Sequence, residues 1–172
     1  MLQHVVLVDE SGNPTGTVNV MEAHMGTGQL HKAFSVYVFR RGRSELLIQK
    51  RAEGKMLWPG AWANTCCSHP REGETPLEAG TRRLMEELGF TCDLTEAGHF
   101  IYRAEDPAGR GVEHEHVTLL VGNVSDSLSP AQNPSEVAEW KWVAIGELQK
   151  DMTAHPDAYA PWFPMGLPKV LS

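Results

Sequence analysis

The chain lacks any run of about 18 apolar residues, the length a helix needs to cross a bilayer, so no membrane span is expected among its 172 residues. Cysteine is scarce. Three thiols, two of them adjacent as Cys66 and Cys67, make a poor disulfide framework. The opening residues Met1-Leu2-Gln3-His4-Val5-Val6 carry neither a basic leader nor a long apolar stretch, so no secretion signal is expected and a reducing cytoplasm is the expected compartment. Basic residues are in deficit as well. With 15 Lys and Arg against 22 Asp and Glu, the formal net charge of −7 argues against a general nucleic-acid binder. A small anionic substrate stays open, because it needs only a local cluster of cations or metal ions. Repeats and long linkers are missing too, and 41% hydrophobic with 22% charged residues suits one globular domain spanning residues 1–172.

What is present reads as short strands around one strong helix. Residues 5–8, followed by Asp9-Glu10-Ser11-Gly12-Asn13-Pro14, predict an opening hairpin. Residues 33–39 and 46–49 predict a second one, joined through Arg41-Gly42-Arg43. Residues 100–102, 117–121 and 137–143 are further strand candidates; in the last, Trp140 and Trp142 alternate with polar positions and are expected in the core. The helix runs from Pro76 to Leu88. Thr75 is a good N-cap, Pro76 suits the first helical position, Glu78 completes a Thr-x-x-Glu capping box, and Gly89 supplies a left-handed stop. Leu77, Gly80, Leu84 and Leu88 form its expected buried stripe, with Gly80 admitting a close sheet. A shorter helix is expected after Ala144, and residues 156–168 are proline-rich around Trp162 and Phe163. Such a pattern predicts an α/β (α+β) sandwich.

The charges of the helix are misplaced for its own stability. Glu86 and Glu87 occupy the last turn, where the macrodipole disfavours a carboxylate by about 0.3–1 kcal/mol each. Arg82 and Arg83 precede them in the weaker orientation for i,i+4 pairs. A solvated face with two salt bridges would account for this, but adjacent violations of local preference often mark functional sites. From Ser68 the pattern is Ser68-x5-Glu74-x7-Arg82-Arg83-Leu84-x-Glu86-Glu87-x-Gly89-Phe90, which resembles the Nudix box. Two positions depart from it. Ser68 stands for the leading glycine, and Arg83 stands for a glutamate that Nudix hydrolases use to hold magnesium. A guanidinium binds phosphate oxygens rather than cations, so the resemblance implies a Nudix-like sandwich of mixed β-sheet with flanking helices more firmly than it implies hydrolysis.

A second stretch, Trp58-Pro59-Gly60-Ala61-Trp62-Ala63-Asn64-Thr65-Cys66-Cys67-Ser68-His69-Pro70, resembles a signature of type 1 isopentenyl-diphosphate isomerases, a Nudix branch. Val112-Glu113-His114-Glu115-His116 resembles that family's Glu-x-Glu, and His24 and His31 stand at its spacing. The resemblance runs from about Val5 to Trp162. It implies an enzyme of isoprenoid biosynthesis that interconverts isopentenyl and dimethylallyl diphosphate through a tertiary carbocation, with Cys67 and Glu115 as the proton pair and Tyr102 assisting Glu115. It implies metal ligation by His24, His31, His69, Glu113 and Glu115, a donor set suited to Mn²⁺ or Mg²⁺, with Zn²⁺ open. It implies a second Mg²⁺ carried with the substrate on Glu87 and the Cys67 backbone, diphosphate contacts from Arg51, Lys55 and Arg83, and Trp162 against the carbocation.

Several alternatives remain open in the sequence. Spacing alone leaves His114 and His116 as a rival ligand pair on the other face of the strand. Lys32 is a weaker phosphate candidate, and Val20 stands where some relatives place a phosphate-binding lysine. Trp58 and Trp62 are expected to shape the pocket wall, Cys66 and Cys92 to pack. The expected partner is a small isoprenoid diphosphate, with neither nucleic acid nor membrane, and the chain is expected to be a monomer or weak homodimer. A Nudix hydrolase and a non-catalytic metal- or phosphate-binding module are the competing readings.

Overall fold

The computed structural model describes residues 3–172; Met1 and Leu2 of the opening stretch lie outside the described residues. The strands are β1 (His4–Val8), β2 (Pro14–Asn19), β3 (His31–Arg40), β4 (Glu45–Arg51), β5 (Trp62–Ala63), β6 (Cys66–Ser68), β7 (Leu94–Glu105), β8 (Val112–Asn123) and β9 (Val137–Ala144). The helices are α1 (Val20–Ala23), α2 (Pro76–Leu88), α3 (Ile145–Ala154) and α4 (Trp162–Leu171).

Among the described residues, all nine strands join one mixed sheet with β3 as its hub. β3 runs antiparallel to β1, β4 and β6 and parallel to β8. Its almost unbroken apolar sequence follows from burial on both faces. Ala33, Tyr37 and Phe39 point into a core shared with Leu148 of α3 and Phe163 and Leu167 of α4. Phe34, Val36 and Val38 point into a second core beneath Leu84 and Leu88 of α2. The result is a sheet sandwiched between helices.

α2 keeps the predicted bounds because its end signals are local. Thr75 and Glu78 form the reciprocal capping box, and Gly89 terminates the helix at φ 72°. A methyl group on Gly80 would sit 2.7 Å from Leu120 Cδ1, so this position does admit a close sheet. The buried stripe is Ala79, Gly80, Leu84, Glu87 and Leu88. Leu77 departs from expectation. In the first turn it borders an open groove with Cys92 and Leu94 and stays 36% exposed. Trp140 and Trp142 are only half-buried, packed on the edge of the second core, and Arg40 lies 4.4 Å from the Trp142 ring centroid. The proline-rich segment forms α4, whose buried Trp162, Phe163, Leu167 and Val170 hold it in place despite the interior Pro168.

Candidate active site

Pairing of the strands builds the site. In the parallel register His31 lies opposite Glu115, and in the β7–β8 hairpin Tyr102 lies opposite Glu115 from the other side. Glu113 and Glu115, two apart on β8, share one face. His24 follows α1 and His69 follows β6, and both turn toward that face. One donor atom from each of His24, His31, His69, Glu113 and Glu115 lies within 4.8 Å of all the others. His114 and His116 point away: His114 Nδ1 meets the Gly28 carbonyl at 3.2 Å, and His116 stacks on His99 with centroids 5.3 Å apart.

Donor chemistry in this cluster fits a divalent cation. His31 Nδ1 is turned to the Gln29 carbonyl at 2.8 Å, which leaves Nε2 as the free ligand atom. That Nε2 faces His69 Nε2 at 3.2 Å, and His69 Nε2 also meets Glu115 Oε1 at 2.9 Å. His24 Nε2 meets Glu113 Oε2 at 3.1 Å. Three imidazoles and two carboxylates make a mixed nitrogen and oxygen donor set of the kind divalent cations take. Electrostatics show what the cluster resists without a cation. Burial, reinforced by the neighbouring Glu115, pushes the Glu113 carboxyl up to about 7. Burial pushes His69 down to about 4. Glu115 is held well below the carboxylate range because hydrogen bonds from His31 and His69 outweigh its burial.

Beside the cluster lies a cavity of about 540 Å³ whose wall includes Cys67, Tyr102, Glu115, Arg51, Lys55, Arg83 and Trp162. Burial pushes the Cys67 thiol up to about 12, so it stays protonated at neutral pH. Its S–H donates to Asn64 Oδ1 at 2.9 Å. The Asn64 amide cannot turn over, because its Nδ2 already donates to the carbonyls of Val36 (3.0 Å) and Cys66 (3.1 Å). Ser35 Oγ lies 3.5 Å from the sulfur on the neighbouring strand. Tyr102 donates its hydroxyl to Glu115 Oε2 at 2.9 Å, and burial keeps the phenol far from ionisation. Trp162 is buried, edge-on to Trp58 at 5.5 Å and 6.3 Å from the Tyr102 ring.

The cationic wall is already engaged with the protein. Arg51 donates to the carbonyls of Leu57 (2.8 Å) and Trp58 (3.2 Å), with its guanidinium carbon 5.1 Å from the Trp162 ring centroid. Lys55 pairs with Glu136 at 2.5 Å. Arg83 pairs with Glu86 at 2.7 Å and with Glu87 at 2.6 Å. Glu87 is buried behind the cavity wall, where Gln49 also donates to it at 3.0 Å. Arg82 turns away from the site and grips Glu74 at 2.7 and 2.8 Å.

Other expected residues are elsewhere. Lys32 borders a separate surface groove with Arg71. Neither Trp58 nor Trp62 lines the cavity: Trp58 backs Trp162, while the Trp62 ring lies under Lys141, 4.5 Å from its Nζ. Val20 does line the cavity, as an apolar surface. Sequence reasoning missed Asn64, although a buried asparagine must find partners for both ends of its amide. It also missed Glu136, which carries no motif.

Residues 29–163 match the NUDIX domain family. The isopentenyl-diphosphate Delta-isomerase of Halorhodospira halophila is 43% identical over 162 residues, covering 94% of this chain and 91% of that protein. The protein of the same name from Aliivibrio fischeri is 45% identical over 178 aligned positions, covering 100% of this chain and 97% of that one. Among solved structures, DR0079 from Deinococcus radiodurans superposes with a TM-score of 0.71 at 18% identity, covering 88% of this chain and 90% of that one, a likeness of fold alone.

Proposed function

We propose that this chain, which belongs to the isopentenyl-diphosphate Delta-isomerase family of NUDIX-domain proteins, interconverts isopentenyl and dimethylallyl diphosphate in isoprenoid biosynthesis. The observation that carries the reading is the Cys67 thiol sharing one cavity with the Tyr102–Glu115 pair beside a cluster of metal-binding type. An unactivated alkene is a very poor base, so the reaction needs a placed acid on one side and a placed base on the other. In one direction a proton is added to the terminal CH2 carbon, and the double-bond electrons form the new C–H bond. The tertiary carbocation so created loses a different proton from the neighbouring CH2, and that C–H electron pair becomes the new double bond. Cys67 and Glu115 are the proposed pair, with Tyr102 hydrogen-bonded to Glu115; because the reaction is reversible, their roles exchange with direction.

Water must be excluded or it would capture the cation, and the buried Trp162 offers an aromatic face worth about 2 kcal/mol to a desolvated cation. Arg51, Lys55 and Arg83 are the proposed diphosphate contacts, with Arg able to bind phosphate through two parallel hydrogen bonds. His24, His31, His69, Glu113 and Glu115 are the proposed ligands of Mn²⁺ or Mg²⁺, and Glu87 with the Cys67 carbonyl the proposed protein donors for Mg²⁺ entering with the substrate. Such cations supply charge neutralisation of the carboxylates and the diphosphate when bound. The deciding experiment is incubation with isopentenyl diphosphate and divalent metal in D₂O. Deuterated dimethylallyl diphosphate is expected from the wild type and not from Cys67→Ala; unlabelled substrate throughout, or turnover surviving the substitution, would sink the assignment.

A further inference from the structure

Glu136 stands in the cation wall with no role in proton transfer. One of its oxygens, Oε2, meets Lys55 Nζ at 2.5 Å and Arg83 Nη2 at 3.3 Å. It is not a casual surface partner. The nearby pair Lys50–Glu139, across β4 and β9, is longer at 3.5 Å, and its glutamate side chain is 61% exposed against 26% for Glu136. The backbone that carries Glu136 is fastened at two places. Ala52 N–H donates to the Glu136 carbonyl at 3.1 Å, while Asn133 donates to the Glu87 carbonyl at 2.8 Å and accepts from Glu136 N–H at 3.0 Å. One carboxylate is therefore held where two cations converge.

Arg83 does not need this partner for neutralisation, since Glu86 and Glu87 already flank it. A third carboxylate adds negative charge where an anion is to bind. Taking Arg51, Lys55 and Arg83 as the diphosphate contacts, as proposed above, we propose that Glu136 is a resident competitor of the diphosphate: it occupies Lys55 and Arg83 in the empty site and must yield them when substrate binds. Substrate and product carry the same diphosphate, so affinity directed at that group holds both equally and does not lower the chemical barrier. A built-in rival loosens both and speeds exchange.

The test is Glu136→Gln, nearly isosteric and uncharged. The KM for isopentenyl diphosphate and the Kd for inorganic pyrophosphate, measured by calorimetry with Mg²⁺ present, are each expected to fall about three- to tenfold, the scale of one partly exposed charge. The melting temperature and manganese content are expected to stay put, and kcat not to rise. Glu136→Asp, which keeps the charge but withdraws it from the cations, is expected to fall between wild type and Gln. A merely structural Glu136 would instead leave Lys55 and Arg83 loose when neutralised; an unchanged or raised KM and Kd in both variants overturns the proposal. Pyrophosphate tightening in a protein whose wild type makes no dimethylallyl diphosphate would uphold the competitor and sink the isomerase reading.

Discussion

The Nε2 atoms of His31 and His69 lie 3.2 Å apart, and both approach the same carboxylate oxygen, Glu115 Oε1, at 3.5 and 2.9 Å. Two ring nitrogens so placed need a proton or a cation between them. Without a cation, burial pushes His69 from 6.5 down to about 4. A base whose folded pKa is depressed binds fewer protons folded than unfolded within that window. Its contribution is therefore whole above about 6.5 and lost as pH falls toward about 4. His31, raised through Glu115 against its burial, runs the other way and softens the slope. Added Mn²⁺ is expected to raise the melting temperature most at about pH 7 and least near pH 5, where protons compete for the imidazoles. Thermal melts across pH with chelator and with metal check this; a shift independent of pH would count against ligation by the histidines.

Tyr102→Phe removes the 2.9 Å hydrogen bond to Glu115 and no donor atom from the His/Glu cluster. A fall in kcat of about ten- to a hundredfold is expected, with metal content unchanged. Steady-state kinetics beside metal analysis test it, and a wild-type kcat would remove Tyr102 from the proton path.

Asn64→Ala leaves two carbonyls and the Cys67 thiol without their partner in a fully buried place. Denaturant melts are expected to show a loss of about 2–4 kcal/mol. A loss under about half a kcal/mol would mean that water replaces the amide.

Gly80→Ala sets a methyl group against Leu120 and Leu94, at 2.7 and 3.1 Å from their Cδ1 atoms. Overpacking costs about 1–3 kcal/mol, and the better helix propensity of alanine offsets about 1. A net loss of up to about 2 kcal/mol is expected; a variant more stable than wild type would show that the leucine tips have room to swing.

Legibility in the sequence followed the range of the signal. α2 was readable to the residue because its cap, its first-turn proline and its left-handed glycine are all within the helix or one step from it. The apolar run 117–121 predicts only the middle of β8, which spans Val112–Asn123, because its first half carries polar residues on both faces. α4 was not readable, since its prolines signal interruption and only burial of Trp162, Phe163 and Leu167 against distant strands stabilises it. The cluster brings His24 to Glu113, 89 positions away, and no local pattern encodes that meeting. Resemblance to a family supplied it instead. The pairing of Glu136 with Lys55 and Arg83 had neither kind of signal, as it depends on how one turn is tied to residues 52 and 87.

Alternation along β8 has a consequence for how this chain can vary. Glutamates and histidines take turns from Glu113 to His116, and the strand is stitched to β3 on one edge and β7 on the other. Sliding the strand by a single position would swap carboxylates for imidazoles throughout the pocket, and Tyr102 would then face His114 or His116 instead of Glu115. Loops elsewhere can lengthen at small cost. The turn between β7 and β8 cannot absorb an odd insertion into the hairpin ladder without exchanging one set of donors for another, so its length is as much a part of the chemistry as any side chain.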